Sequence, residues 1–273
     1  MRTRERFWSW LAPLALSLTL AACQQQTAAD TQVAAAPPTP QPCKLRVGWD
    51  PWEPYQYQDA DGSMRGLDVE IIRRIADDAG CEVEFVRGNW GELLGQLRGG
   101  EVHVLMAATP TEERRAFAHF SPPYRSESFA LYTRAGDAED FAGAGLAELV
   151  AQDKRIAVTD GYYYGEAATQ LILGDETRKA FVSAPVVELN YTRLVDGEVD
   201  ALLDDPFVAA AVLRRKGLDE QIAQHPLQIH SGEVSLMYSQ AGVDEAVLKR
   251  LDRALMQLRT DGTLEQMTAR YRG

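Results

Sequence analysis

An arginine and two tryptophans are the residues whose types best suit chemistry in this sequence, and the chemistry they suit is the binding of a small molecule. Arg114 ends the run Thr109-Pro-Thr-Glu-Glu-Arg114, and a guanidinium donates two parallel hydrogen bonds to a carboxylate. Trp52 and Trp90 offer broad apolar faces that also attract cations. The alternatives are that Arg114 is a surface residue of a charged helix and that the tryptophans pack in the core.

Composition argues against metal and nucleic-acid chemistry. The 273 residues contain three scattered cysteines and four isolated histidines, a pattern without the ligand spacing of a zinc site. Forty Asp and Glu against 28 Lys and Arg give a net charge of -12, whereas phosphate binding requires a basic face. We therefore expect no cofactor, no metal and no nucleic-acid partner.

The N-terminus has the pattern of an export signal. Three arginines lie among the first six residues, an apolar run covers Phe7–Leu20, and the segment ends Ala21-Ala22-Cys23. This ending resembles the lipobox of bacterial lipoproteins, which predicts that residues 1–22 are removed and that Cys23 is lipidated. The alternative is an ordinary signal peptide cleaved near Ala22, and either form is exported.

Residues 23–42 are predicted to be a flexible tether. They are rich in Gln, Ala, Thr and Pro and show no apolar period. The folded part therefore extends from about residue 43 to residue 273.

The elements that must position the binding residues alternate between strands and helices. The first block predicts these elements in chain order: strand Cys43–Trp49, helix Leu67–Ala79, strand Cys81–Arg87, helix Trp90–Leu97 and strand Val102–Ala107. The second block predicts a similar series: strand Arg155–Thr159, helix Gly165–Leu173, strand Val186–Leu189, helix Tyr191–Val195 and strand Val199–Leu203. Such alternation indicates parallel sheets, so we predict two α/β lobes.

Two apolar runs, Ser128–Arg134 and Glu233–Ser239, flank the second block like a pair of crossings between lobes. They assign residues 43–131 and 234–273 to lobe 1 and residues 132–233 to lobe 2. Because open α/β sheets bind ligands beyond the carboxyl ends of their strands, we expect the ligand in the cleft between the lobes.

An ordered series of motifs then resembles one family, the bacterial extracellular solute-binding proteins, family 3. The motifs are Gly48-Trp-Asp-Pro-Trp-Glu-Pro-Tyr55, Gly66-Leu-Asp-Val-Glu70, Thr109-Pro-Thr-Glu-Glu-Arg114, Phe120-Ser-Pro-Pro-Tyr124, Asp196-Gly-Glu-Val-Asp200 and Asp261-Gly-Thr-Leu264. The resemblance implies a two-lobed periplasmic-binding-protein fold of type II, with two hinge crossings and a ligand cleft between the lobes.

The resemblance also implies roles for individual residues. Arg114 would clamp a ligand α-carboxylate, with Thr109 beside it, and Trp52 and Trp90 would flank the ligand side chain. Asp205 would pair with the ligand ammonium group. Its neighbour Asp204 is the alternative, since adjacent strand residues point to opposite faces.

The second-lobe loop departs from the family pattern. It reads Asp160-Gly-Tyr-Tyr-Tyr-Gly165, and its three tyrosines narrow or reshape the pocket. We therefore add Tyr162 to the predicted ligand-binding residues.

The resemblance implies a lipid-anchored monomer on the periplasmic side of a bacterial membrane that is not an enzyme. It would capture an amino acid or related carboxylate and deliver it to an inner-membrane ABC permease. One alternative is a ligand sensor for a membrane signalling protein. Another is an enzyme resembling periplasmic cyclohexadienyl dehydratases, for which Glu166 is the candidate acid.

A disulfide between Cys43 and Cys81 is predicted. Each cysteine begins a β-pattern, and in the implied fold these two strands are parallel neighbours, which brings the cysteines to similar heights. Export to an oxidising compartment favours the bond. The alternative is two free, buried thiols.

Overall fold

The structure, a computed structural model, describes residues 43–271 apart from the side chains of residues 230 and 231. The predicted signal peptide, the predicted lipidation site Cys23 and the predicted tether lie outside the described residues. Within the described part, no helix combines the length and apolar character needed to cross a membrane.

Eleven strands and nine α-helices are found in the described part. The strands are β1 (Cys43–Trp49), β2 (Tyr57–Gln58), β3 (Met64–Arg65), β4 (Cys81–Arg87), β5 (Val104–Ala108), β6 (Ala118–Phe120), β7 (Arg125–Arg134), β8 (Ile156–Thr159), β9 (Phe181–Ala184), β10 (Ala201–Asp204) and β11 (Ile222–Ser239). The helices are α1 (Leu67–Asp78), α2 (Trp90–Gly99), α3 (Glu112–Arg115), α4 (Leu146–Ala151), α5 (Glu166–Leu173), α6 (Val187–Val195), α7 (Pro206–Lys216), α8 (Glu245–Thr260) and α9 (Thr263–Ala269).

The main sheet has two halves that correspond to two lobes. Lobe 1 contains the order β4-β1-β5-β11, with β6 also paired to β11, and lobe 2 contains the order β7-β10-β8-β9. Strand β1 is parallel to both β4 and β5, and β8 is parallel to both β9 and β10. The predicted two-lobed α/β architecture is therefore confirmed.

Strands β7 and β11 join the halves and pair with each other. Their antiparallel register begins with Ile222 opposite Arg134 and ends with Val234 opposite Arg125. The same β7 pairs with β10 in lobe 2, and the last part of β11 pairs with β5 in lobe 1. Both crossings predicted from the apolar runs are present, and each strand is longer than its run.

Apolar residues are buried in both lobes, and the largest buried cluster contains residues of both. In lobe 1, α1 turns Ile71, Ile72 and Ile75 inward at helical spacing, and the fully buried Leu255 of α8 belongs to the same cluster. In lobe 2, every residue of β8 and β10 is buried, as expected for parallel strands that are covered on both faces.

The predicted strand Val186–Leu189 is wrong. The strand of this region is β9, Phe181–Ala184, and α6 begins at Val187. Pro185 has no backbone N–H to donate to a ladder, so the strand stops before it. Val186 has an extended backbone and is the N-cap of this helix. Together with Val187 it forms a β-branched pair, a pattern that is typical of strands.

The disulfide between Cys43 and Cys81 is present, so the prediction is confirmed and the alternative of two free thiols is wrong. The two residues are direct partners in the register of β1 and β4, and their Cα atoms are 4.5 Å apart. The bond joins the starts of two neighbouring strands of lobe 1.

Candidate functional site

A cavity lies between the lobes, with about 350 Å³ of space among its lining atoms, part of it open to solvent. Its walls come from the segments that follow β1, β5 and β8, which are the carboxyl ends of parallel strands in both lobes. Five of the six predicted ligand-binding residues line it: Trp52, Trp90, Thr109, Arg114 and Tyr162.

A bulge at the end of β5 shapes the wall beneath Arg114. Ser235 pairs with Ala108 and Met237 with Leu105, so β5 has one residue more than β11 between these pairs. Ala107, in this extra stretch, has φ 54, a left-handed conformation that is uncommon for a residue with a Cβ. Bulges of this kind redirect a strand next to a site, and here the chain turns towards Thr109.

Arg114 lies in the cavity with its charge bonded only to neutral groups. It belongs to the short helix α3, which Thr111 caps by accepting a hydrogen bond from the Arg114 backbone N–H at 3.2 Å. The guanidinium donates to the carbonyl of Thr109 at 2.9 Å and to the carbonyl of Gly161, across the cleft, at 2.8 Å. Among the described residues, no carboxylate lies within ion-pair distance of it. Burial lowers the pKa of Arg114 to about 10, so it is charged at neutral pH.

Asp50 is one of the two acidic residues in the described part of the chain that line the cavity. It immediately follows β1 and is 7% exposed. One carboxylate oxygen accepts a hydrogen bond from Gln56 Nε2 at 2.9 Å, and the other accepts one from the Tyr162 hydroxyl at 3.1 Å. Burial raises the pKa of Asp50 to about 6, and the hydrogen bond from Tyr162 opposes this rise without cancelling it.

The second-lobe loop closes the cavity from the opposite side. The carbonyl of Gly161 accepts hydrogen bonds from Arg114 and from Trp90 Nε1, the latter at 3.1 Å. The Tyr162 ring meets both tryptophans edge to face, with ring centroids 6.1 Å from Trp52 and 6.1 Å from Trp90. In this structure the space between the two tryptophans is therefore filled by Tyr162.

Two buried polar atoms of the cavity have no hydrogen-bond partner within the described residues. They are the donor Trp52 Nε1 and the acceptor Gln56 Oε1. Buried polar atoms of native proteins are almost always paired, so one donor and one acceptor here are suited to a polar ligand. Glu127 also lines the cavity.

The structure does not bring Asp205 to the cavity. Asp205 precedes α7 as its N-cap, where its side chain accepts hydrogen bonds from the backbone of Phe207 at 2.8 Å and Val208 at 3.3 Å. The alternative, Asp204, accepts a hydrogen bond from the Tyr191 hydroxyl at 2.7 Å. The candidate acid Glu166 is exposed at the first turn of α5 and does not line the cavity.

Asp50, Gln56 and Glu127 are polar cavity residues that sequence reasoning did not assign to the site. A signal for Asp50 was present, because it directly follows a predicted strand at the carboxyl end, where α/β sheets bind their ligands. Across the described residues, no group of three or more His, Cys, Asp or Glu side chains is arranged to hold a metal ion.

Comparison with known proteins places the chain among binding proteins. Residues 45–273 match the model of the bacterial extracellular solute-binding proteins, family 3. The chain is 28% identical over 224 residues to the amino-acid-binding protein AabA of Dichelobacter nodosus, covering 80% of this chain and 83% of that protein. It is 24% identical over 234 residues to a probable amino-acid ABC transporter-binding protein of Haemophilus influenzae, covering 81% of each.

The fold is also similar to that of a histidine kinase sensor domain whose crystal structure is described as similar to periplasmic binding proteins. The TM-score is 0.71 at 24% sequence identity, covering 84% of this chain and 96% of that one.

Proposed function

The chain belongs to the bacterial extracellular solute-binding proteins, family 3, and we propose that it is a receptor for an amino acid or a closely related small carboxylate. Like its relatives, it is a solute-binding protein and not an enzyme. One observation carries the ligand class: Arg114 is 8% exposed in an interlobe cavity, makes no ion pair with a described carboxylate, and has its charge compensated only in part by the nearby Glu127 and Glu113. A ligand carboxylate would complete that compensation through two parallel hydrogen bonds.

Two candidates exist for the group that pairs with a ligand ammonium. Asp205 is the residue implied by the family motif, and closure of the lobes would have to bring it to the ligand. Asp50 already lines the cavity, as does Glu127, and the Asp50 carboxylate lies on the lobe 1 side next to Trp52 and Gln56 in the lining. Asp205→Asn and Asp50→Asn variants, each titrated with an amino acid and with its α-keto acid, decide between them. Substitution of the true partner should weaken binding of the amino acid and leave binding of its α-keto acid unchanged.

Delivery to an ABC permease is the proposed role, supported by the similarity to an ABC transporter-binding protein. The sequence pattern at Cys23 supports a lipid anchor, with the folded lobes carried on the tether. Sensing is the second candidate, favoured by the similarity to the histidine kinase sensor domain. Genes that flank this one separate the two, because transport calls for an adjacent permease and sensing for an adjacent membrane kinase.

A melting-temperature screen tests the ligand class. The purified protein is scanned with amino acids, their α-keto acids and their decarboxylated amines. At about 100 times the dissociation constant, a ligand specific to the native state adds about 2.7 kcal/mol, or roughly 5–10 °C for a protein of this size. We expect acids to stabilise and the amines to have no effect. Stabilisation by an amine equal to that by its parent amino acid would exclude the role of Arg114.

A further inference from the structure

The loop after β8 reaches across the cleft through a backbone position that requires glycine. Gly161 has φ +73, and a Cβ built on it would lie 3.1 Å from Trp90 Cδ1. The left-handed conformation and the close approach together direct the Gly161 carbonyl towards Arg114 and Trp90 Nε1. The loop is therefore fixed at its first contact with lobe 1.

The next residue, Tyr162, is held by contacts at both its ring and its hydroxyl. Its ring planes make angles of 78° with Trp52 and 84° with Trp90, the edge-to-face geometry that aromatic pairs prefer. Its hydroxyl donates to Asp50, which is itself held by Gln56. These three partners of Tyr162, and Gln56 behind Asp50, belong to lobe 1, whereas Tyr162 belongs to lobe 2.

We propose that Tyr162 is the specificity-determining residue of this receptor and that it limits the ligand to carboxylates with little or no side chain. The inference rests on the proposed function. The space next to two tryptophans is a natural place for a ligand side chain, and here the protein's own phenol ring contacts both of them. A free ligand then has the guanidinium of Arg114 for its carboxylate, but no room between the tryptophans.

The remaining space agrees with this limit. The free volume left in the cavity is about 30 Å³, on the order of one or two water molecules, so no ligand side chain fits beside Tyr162 in this structure. Shortening Tyr162 would add the volume of a phenol ring between two apolar faces. The variant receptor should then accept side chains that the natural one excludes.

The test compares Tyr162→Ala with the wild-type protein and with Tyr57→Ala, a matched control in the β2 hairpin that does not line the cavity. Each protein is titrated calorimetrically with glycine, L-alanine, L-leucine, L-phenylalanine, pyruvate and phenylpyruvate. We expect the wild type and the control to bind the smallest acids best. In Tyr162→Ala the affinity for the phenyl compounds should rise at least about tenfold relative to glycine or pyruvate, a change of about 1.4 kcal/mol.

A second measurement does not depend on a ligand. A cavity left by a deleted ring and lined by apolar groups binds a small aromatic molecule. p-Cresol should raise the melting temperature of Tyr162→Ala and leave those of the wild type and Tyr57→Ala unchanged. Tyr162→Leu, which retains part of the apolar contact, serves in both measurements if Tyr162→Ala does not fold.

The outcomes separate this inference from the proposed function. If p-cresol raises the melting temperature of Tyr162→Ala but no acid binds to any of the proteins, the Tyr162 ring does fill part of the cavity, but the proposed function is wrong. The specificity role of Tyr162 is then wrong as well. Equal gains for small and large ligands overturn the inference alone, since the loop would then oppose every ligand to the same extent. Unchanged selectivity with no p-cresol effect overturns it as well.

Discussion

Two regions of this molecule each contain a buried arginine and a buried aspartate. In only one of the two regions do the arginine and the aspartate form an ion pair. At the start of β7, Arg125 donates to both carboxylate oxygens of Asp68, at 3.1 and 3.0 Å. In the cavity, Arg114 donates to backbone carbonyls, and Asp50 accepts from Gln56 and Tyr162. Within the described residues, neither Arg114 nor Asp50 makes an ion pair.

The pKa values of the two arginines differ in the same way as their pairing. Burial alone would lower the pKa of Arg125, but Asp68 and Tyr124 raise it well above its ordinary value. Arg114 has no such direct ion pair, and burial lowers its pKa although the charges of Glu127 and Glu113 oppose this. A buried charge that the chain pairs with its own residue is structural, whereas one that it leaves with neutral bonds is available to a ligand.

The largest expected effect is on the paired region. Arg125→Met leaves the Asp68 carboxylate, whose side chain is 0% exposed, without its cation, and should lower the free energy of unfolding by about 3–5 kcal/mol. Arg74→Met, which breaks an exposed ion pair with Asp78, is the control and should cost less than about 1 kcal/mol. Urea unfolding measures both. Equal losses in the two variants would contradict the structural role of Arg125.

The same substitution in the cavity should affect binding rather than folding. Arg114→Met removes charge-assisted hydrogen bonds to the ligand, worth about 2–3 kcal/mol, so the affinity for the acid found in the melting screen should fall roughly 30- to 150-fold. Its unfolding free energy should change far less than that of Arg125→Met, since no buried carboxylate loses a partner. Titration calorimetry checks the affinity, and a loss below tenfold would refute the clamp.

The smallest expected effect concerns the other cavity charge. The pKa of Asp50 in the folded protein is about 6, above its ordinary value of 3.8, so the folded state holds this proton more tightly. The resulting stability is fully present below pH 4 and is lost as the pH rises through 6. Between pH 4 and 7 the wild type should lose about 2 kcal/mol more than Asp50→Asn.

Urea unfolding of both proteins at pH 4, 5, 6 and 7 measures this difference. Parallel profiles would mean that Asp50 ionises normally and that the cavity compensates its charge after all.

Local signals predicted much of the fold and the lobe 1 side of the cavity. The bounds of β1 and β4 match their predicted strands, because apolar runs bounded by turn residues mark a strand plainly. Arg114 and Thr109 were found because one short motif carries both residues on the segment that follows β5.

Contacts across the cleft could not be predicted in this way. Tyr162 reaches Asp50 over 112 positions of sequence, and no spacing indicates that a loop of lobe 2 fills the space between Trp52 and Trp90. For Asp205 a local signal was available, since an aspartate followed by proline is typical of a helix N-cap, and the structure shows it in that role.

The pairing of β7 with β11 decides how the two lobes can move. Two separate connections would let the lobes slide and twist independently, whereas a hydrogen-bonded ribbon resists shear because sliding breaks its ladder. It bends more easily where the ladder is interrupted, and β11 has register shifts between Gln224 and Gln228 and between His230 and Gly232. We therefore expect the lobes to swing about these interruptions rather than to slide past each other. Such a swing would bring the loop after β8 back to Arg114 each time the cleft closes.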